Sequence, residues 1–181
     1  MKQIPTLTTE RLILRAWRED DAPALAAIHG DPLVSRYIGV TGDPMPTLSQ
    51  AWDHIALHTG HWALKGYGKW AAIERSSNRL IGRIGYFHAP YDWPGLELGW
   101  TLSRDCWGRG YATEGALAAL DWGFETLPAS EIISAIHPDN SASMRVAERV
   151  GEKRWREDKA HNKPCIVFGI TRDEWSARKA R

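Results

Sequence analysis

Residues Arg11–Trp17, RLILRAW, alternate in polarity with the two-residue period of a strand. The next stretch, DDAPALAAIHG, reads as a short helix closed by Gly30. GDPMP, Gly42 to Pro46, is a loop by its glycine and proline content. From Thr47 to about Leu64 the apolar positions Leu48, Trp52, Ile55, Ala56 and Ala63 predict a helix, with Thr59 interrupting the stripe. KWAAIER and RLIGRIGYFHA flank the turn SSN as a hairpin. GLELGWTLS is a further strand, with Leu96, Leu98, Trp100 and Leu102 on one face and Glu97, Gly99, Thr101 and Ser103 on the other. Tyr111 to Leu127 is a helix with Ala112, Ala116, Ala119, Leu120, Gly123 and Leu127 on one side. EIISAIH is a strand, NSASMRVAERVG a helix opened by Asn140 and stopped by Gly151, and EKRWRE and CIVFGIT pair as final strands. This order predicts an α/β or α+β domain spanning 1–181, with mixed strand directions and helices packed on the sheet.

Composition narrows the function classes. The 181 residues suit one domain with a real core, and 23 Lys and Arg against 22 Asp and Glu leave a formal net charge of +1. That balance speaks against a nucleic-acid surface driven by gross charge. Cys106 and Cys165 make no disulfide framework. The opening MKQIPTLTTERL lacks the apolar stretch of a signal peptide, and no run approaches the roughly 18 apolar residues of a membrane span. A soluble, cytoplasmic protein is expected.

The stretch LELGWTLSRDCWGRGYATEG, residues 96–115, concentrates the chemistry. A strand runs into Gly108 and Gly110 around Arg109 and then into a helix. Glycine permits unusual φ and close approach, and the first turn of a helix leaves backbone N–H groups pointing forward. The setting suits a diphosphate, with Arg109 adding charge. It is neither of the named phosphate loops, because G-x-x-x-x-G-K-[ST] is absent and Thr113 breaks G-x-G-x-x-G.

WGRGYATEG resembles the pyrophosphate loop of the GNAT superfamily of acyl-CoA-dependent N-acetyltransferases, with Trp107 at its first position, Gly110 at its first glycine and Ala112 at its last. ELGWTL before it, HPDNSASMRVAERVG after it and the opening TERLILR are similar to the branch that contains the ribosomal-protein N-terminal acetyltransferases. The resemblance spans nearly the whole chain. It implies a mixed, mostly antiparallel central sheet with helices on both faces, and acetyl-CoA as donor with no metal. It also implies that the loop amides from Gly108 through Arg109, Gly110, Tyr111 and Ala112 to Thr113 hold the pyrophosphate, with the arm passing Trp100, Thr101 and Leu102. The strand steps from Glu97 to Ser103 span roughly 20 Å, comparable to an extended pantetheine arm. The sequence departs from the family at Ala147, where a tyrosine is usual, and at Gly151-Glu152, where Gly-Phe is usual.

Acetyl transfer to an amine requires a proton acceptor, a stabilised oxyanion and a leaving thiolate. Glu97 is the candidate base, directly or through water. Backbone N–H groups around Trp100 and Thr101 would meet the oxyanion, as in the superfamily. Asn140 is suited to cap its helix, and the resemblance adds a contact to the pantetheine arm. Ser143, one turn on, could protonate the thiolate in place of the missing tyrosine, and a tyrosine restored at Ala147 is expected to recover part of that role. His54, His58 and His61 share a helical face and could in spacing bind zinc, but H-E-x-x-H is not met and a half-exposed face is the simpler expectation. Cys106 is expected to pack. Trp17, Trp70 and Trp122 read as core, whereas Trp52, Trp62 and Trp93, with Tyr91 and Asp92, are candidate walls of an acceptor pocket. The acceptor is a protein N-terminal α-amine or a small-molecule amine, with a homodimer left open. Two alternatives remain: a non-catalytic or weakly catalytic acyl-CoA-binding module, supported by Ala147, and an aromatic-rich interaction domain, opposed by the charge balance.

Overall fold

A computed structural model describes residues 3–39, 42–88, 93–160 and 162–180. In chain order the elements are β1 (Leu7–Thr8), β2 (Leu12–Arg15), α1 (Ala22–Gly30), α2 (Pro32–Ser35), α3 (Leu48–Lys65), β3 (Lys69–Glu74), β4 (Arg79–Phe87) and β5 (Glu97–Leu102). Then come α4 (Tyr111–Thr126), β6 (Glu131–Ile136), α5 (Ser141–Val150), β7 (Lys153–Ala160), β8 (Lys163–Thr171) and α6 (Arg172–Lys179). The strands form one sheet in the order β1-β2-β3-β4-β5-β6-β8-β7. Every neighbouring pair is antiparallel except β5 and β6, which run parallel. The expected mixed, mostly antiparallel sheet is therefore present.

Alternation along the strands sends two sets of side chains to opposite faces. Leu12, Leu14, Trp70, Ile84, Tyr86 and Leu98 form a core with Ala116, Ala119 and Leu120 of α4. Ala71, Ile73 and Leu80 pack on the other face with Leu25 of α1 and Ile55 of α3. Burying a Leu- or Ile-sized side chain stabilises by about 1.5–3 kcal/mol, so α1, α3 and α4 are held mainly by their apolar faces. A third cluster joins Ala147 of α5 to Ile136, Ile166 and Phe168.

Helix α3 begins where expected: Thr47 accepts from Gln50 N while the Gln50 side chain returns to the Thr47 backbone. It ends at Gly66, φ 75°, a left-handed stop that suits glycine. Sequence periodicity missed β1, α2 and α6. Helix α6, RDEWSARK, buries only Trp175, so it carries no stripe; Thr171 and Glu174 cap it reciprocally. No helix among the described residues is long and apolar enough to cross a membrane.

Candidate active site

The site begins with a split in the sheet. Strands β5 and β6 pair at one register position, Glu97 opposite Ile133, with Ile133 N donating to Leu96 O at 3.0 Å. Ser134 Oγ then donates to Leu98 O at 2.8 Å, and the strands separate beyond it. Successive peptide groups alternate between the two edges of a strand. Leu96 and Leu98 address β6, while Ser103 N donates to Ile81 O on β4 at 2.8 Å. Trp100 N–H therefore aims into the split, and the Thr101 amide belongs to the β4 ladder opposite Arg83. Of the two amides expected to meet an oxyanion, only that of Trp100 is available.

A cleft of about 540 Å³ opens from the split to the N-terminus of α4. Trp100, Thr101, Leu102, Trp107, Gly108, Gly110, Tyr111, Ala112 and Thr113 line it together with Asn140 and Ser143, so the sequence had gathered the β5–α4 side of this wall but not the side formed by α2 and the rest of α5. Gly108 (φ 72°) and Gly110 (φ 84°) both lie in the left-handed region, which explains two glycines at one junction. Gly110 caps α4 without a side-chain bond, and the first backbone bond of the helix is Glu114 N to Gly110 O at 3.0 Å. The amides of Tyr111, Ala112 and Thr113 thus precede the helical ladder, an arrangement that accepts an anion. Trp107 is held by its Nε1 donating to Leu102 O at 2.9 Å.

Arg109 departs from the expectation. Its guanidinium lies 5.1 Å from the centre of the Tyr111 ring and 3.7 Å from the Glu74 carboxylate, outside the cleft. The Tyr111 hydroxyl also donates to Glu74, so this residue offers the cleft its backbone rather than its phenol. The cations that line the cleft are Arg36, Arg145 and Arg149. The sequence reading missed all three; the signal for the last two is their four-residue spacing, which sets Arg145 and Arg149 on one face of α5.

A second pocket, of about 390 Å³, lies under α3 on the other side of the split. It shares Trp100, Thr101, Asn140 and Ser143 with the first, so the two adjoin at the split. Glu97 is buried on its floor beside Gly99. A Cβ at Gly99 would lie 2.8 Å from Glu97 Oε1 and 3.1 Å from Lys69 Nζ, so the missing side chain leaves room for both groups. Lys69 and Arg83, buried on the same face, complete the floor. Burial and the Arg83 guanidinium push Lys69 down to about 7 despite Glu97, and burial lowers Arg83 to about 10. Neither residue stood out in the sequence, where each is one polar position in a hairpin.

The remaining expectations divide. Asn140 caps α5, its Oδ1 accepting from Ser143 N at 3.1 Å. Trp93 lines the second pocket, but Trp62 packs against Trp70 with ring centres 4.9 Å apart, and Trp52 is 51% exposed away from both pockets. Tyr91 and Asp92 lie outside the described residues. His54, His58 and His61 are not a half-exposed face, since His58 is 2% and His61 9% exposed. His29, His54 and His58 form a chain of rings with centres 4.9 and 4.6 Å apart. Burial foremost, then the Arg83 charge, lowers His29 to about 3 and His54 to about 2, which keeps both neutral. Among the described residues no group of three or more His, Cys, Asp or Glu is set to hold a metal. Cys106 is buried, and burial raises its thiol. Ala147 is fully buried against Ile136, Ile166 and Phe168 and lines neither pocket, so a tyrosine there has no room and no route to the cleft. The expected rescue at this position is withdrawn.

Fold and cleft together define an α/β protein that can hold an extended anionic ligand across a split sheet, with a carboxylate at its far end. Residues 11–153 match the GNAT acetyltransferase domain, and the chain belongs to that family of acetyltransferases. It is 32% identical over 142 residues to the uncharacterized N-acetyltransferase p20 of Bacillus licheniformis, covering 78% of each chain. A crystal structure of an acetyltransferase from Agrobacterium tumefaciens superposes with TM-score 0.79 at 34% identity, covering 94% of this chain and 96% of that one. The ribosomal L7/L12 α-N-protein acetyltransferase RimL, solved in complex with coenzyme A, shares the fold with TM-score 0.77 at 14% identity, covering 92% and 98%.

Proposed function

We propose that this chain transfers an acetyl group from acetyl-CoA to a primary amine, a protein N-terminal α-amine or a small-molecule amine, by direct attack on the thioester. The observation that carries the reading is that the two pockets adjoin at Trp100, Thr101, Asn140 and Ser143. One end offers the open amides of α4 and three arginines, and the other offers a buried carboxylate. The coenzyme-bound RimL relative supports the choice of donor. Unpaired Cys106 and Cys165, both buried, are in keeping with a reducing cytoplasm.

The residues fit the donor. Amides of Tyr111, Ala112 and Thr113, with Arg36, Arg145 and Arg149, would hold the pyrophosphate. Bound acetyl-CoA supplies an activated acetyl thioester. Trp100 N–H is oriented to donate to the carbonyl oxygen as it gains charge. Glu97 accepts the ammonium proton, directly or through a water. Ser143, held at the junction by the Asn140 cap, offers its hydroxyl to the departing sulfur. The test is Glu97→Gln, assayed by release of free CoA thiol over a panel of amines. Loss of a general base typically costs about 10²- to 10⁴-fold in kcat, while acetyl-CoA affinity stays near wild type. Unchanged turnover at neutral pH rules out the role.

A further inference from the structure

Among the described residues, the second pocket holds more positive than negative charge. Arg83 on β4 lies opposite Thr101, and Glu97 on β5 lies opposite Phe87. Between those two pairs stands Gly85 opposite Gly99, a register position with no side chain on either strand. Of the two, Gly99 lines the pocket, and the side chain it lacks leaves a trough with a guanidinium at one end and a carboxylate at the other, and Lys69, opposite Gly85 on β3, at its flank. Arg83 is 5% and Lys69 9% exposed, and the Arg83 Nε is buried without a hydrogen-bond partner. Glu97 is the one acidic side chain among the described residues that line this pocket.

The other groups facing Lys69 and Arg83 do not correct the imbalance. His29, His54, His58 and His61, from α1 and α3, are all shifted toward the neutral form, and burial is the largest cause in each. A buried charge is costly unless it is paired and hydrogen-bonded. One carboxylate serves two cations, and the depressed lysine is the expected response of the weaker partner. An incoming anion would relieve both defects.

We propose that the acceptor is an amine that also bears a carboxylate, which docks on the Arg83 guanidinium while the amine meets Glu97. This rests on the reading of the second pocket as the acceptor site. At about 390 Å³ the pocket has room for a ligand of amino-acid size. A planar guanidinium binds a carboxylate through two parallel N–H bonds, a geometry that an ammonium alone does not provide.

The experiment measures CoA release with ω-amino acids of two to four carbons, the alkylamines of the same lengths and the corresponding amino-alkyl phosphates. Wild type is expected to favour the amino acids in kcat/KM by roughly tenfold to a hundredfold, the range of a charge-assisted hydrogen bond. Arg83→Met should collapse this ratio toward one, mainly through KM, and Arg83→Lys should retain part of it. Equal or better use of the plain amines overturns the proposal, as does a folded Arg83→Met with an unchanged ratio. A preference for the phosphates overturns the choice of carboxylate. Propionate alone, titrated against the fluorescence of Trp93 and Trp100, provides a readout without turnover. Binding to wild type that Arg83→Met loses supports the site, and no binding to wild type overturns it. Absence of CoA release with every amine would instead count against the transferase reading itself.

Discussion

Glu152→Gln should stabilise the protein relative to wild type by an amount that grows as the pH rises. Glu152 is 3% exposed, its Oε1 lies 3.0 Å from Ser134 Oγ, and its Oε2 is buried with no hydrogen-bond partner. Desolvation is the main cause that pushes its carboxyl from 4.5 up to about 8, with the Glu97 charge adding to it. A carboxyl that keeps its proton only when folded contributes fully below about pH 4.5, and that contribution is lost as the pH rises through about 8. The difference of 3.5 units, from about 8 minus 4.5, at about 1.36 kcal/mol each, sets a limit near 5 kcal/mol. Glutamine has the same shape and cannot ionise, so it removes the pH-dependent part. Between pH 5 and pH 8, three units, the advantage of the variant should grow by about 4 kcal/mol. For a chain of this length about 2–4 °C accompany each kcal/mol, so the gap in Tm should widen by roughly 8–16 °C. Thermal melts by circular dichroism at unit pH intervals test this. A gap of constant size across that range refutes the argument, because it would mean that the carboxyl titrates alike in both states.

Three further outcomes are expected. Gly110→Val forces a β-branched residue into φ 84° at the head of α4, and acetyl-CoA affinity by calorimetry should fall at least about tenfold; equal affinity in a folded variant removes the anion loop. Ser143→Ala should lower kcat by about tenfold, near 1.4 kcal/mol, with acetyl-CoA affinity unchanged. A neutral result in steady-state thiol release means that solvent protonates the sulfur. Arg172→Met removes donors to the carbonyls of Phe124, Leu127 and Ala129 at the end of α4, and urea unfolding should show a loss of about 2–4 kcal/mol without weaker acetyl-CoA binding. An unchanged unfolding midpoint would show that water serves those carbonyls equally well.

What the sequence revealed and what it hid differ in range along the chain. The two-residue alternation of β5 separates Glu97 from Leu98, and the structure sends Leu98 to the core under α4 and Glu97 to the second pocket. Gly108 and Gly110 were legible because a turn into a helix has few chemical solutions. Arg109 was misread because a neighbour in sequence was assumed to face the same ligand, whereas Glu74, on β3, draws it away. Helix α3 revealed that His54 and His58 share a side, but their burial depends on Trp17 and His29 packing against them.

Lys69 and Arg83 carry the argument furthest. In a linear reading they are ordinary charges of a hairpin, the kind that usually faces water. Their chemistry changes only because β5, distant in sequence, pairs with β4 in a register that sets Gly99 against Gly85, with Glu97 and Lys69 on either side of the Gly99 opening and Arg83 further along the same floor. A glycine pair in adjacent central strands weakens packing, and an unmatched cation beneath it weakens folding further. An open glycine position and an unmatched cation on one pocket floor make sense together if a ligand completes them. A strand substitution that fills the trough, such as Gly99→Ala, should therefore perturb the Glu97 and Lys69 groups before it perturbs the coenzyme cleft, since the added methyl lies within about 3 Å of both groups. The expected signature is a larger rise in the KM of the acceptor than in that of acetyl-CoA, and the reverse order would place the acceptor elsewhere.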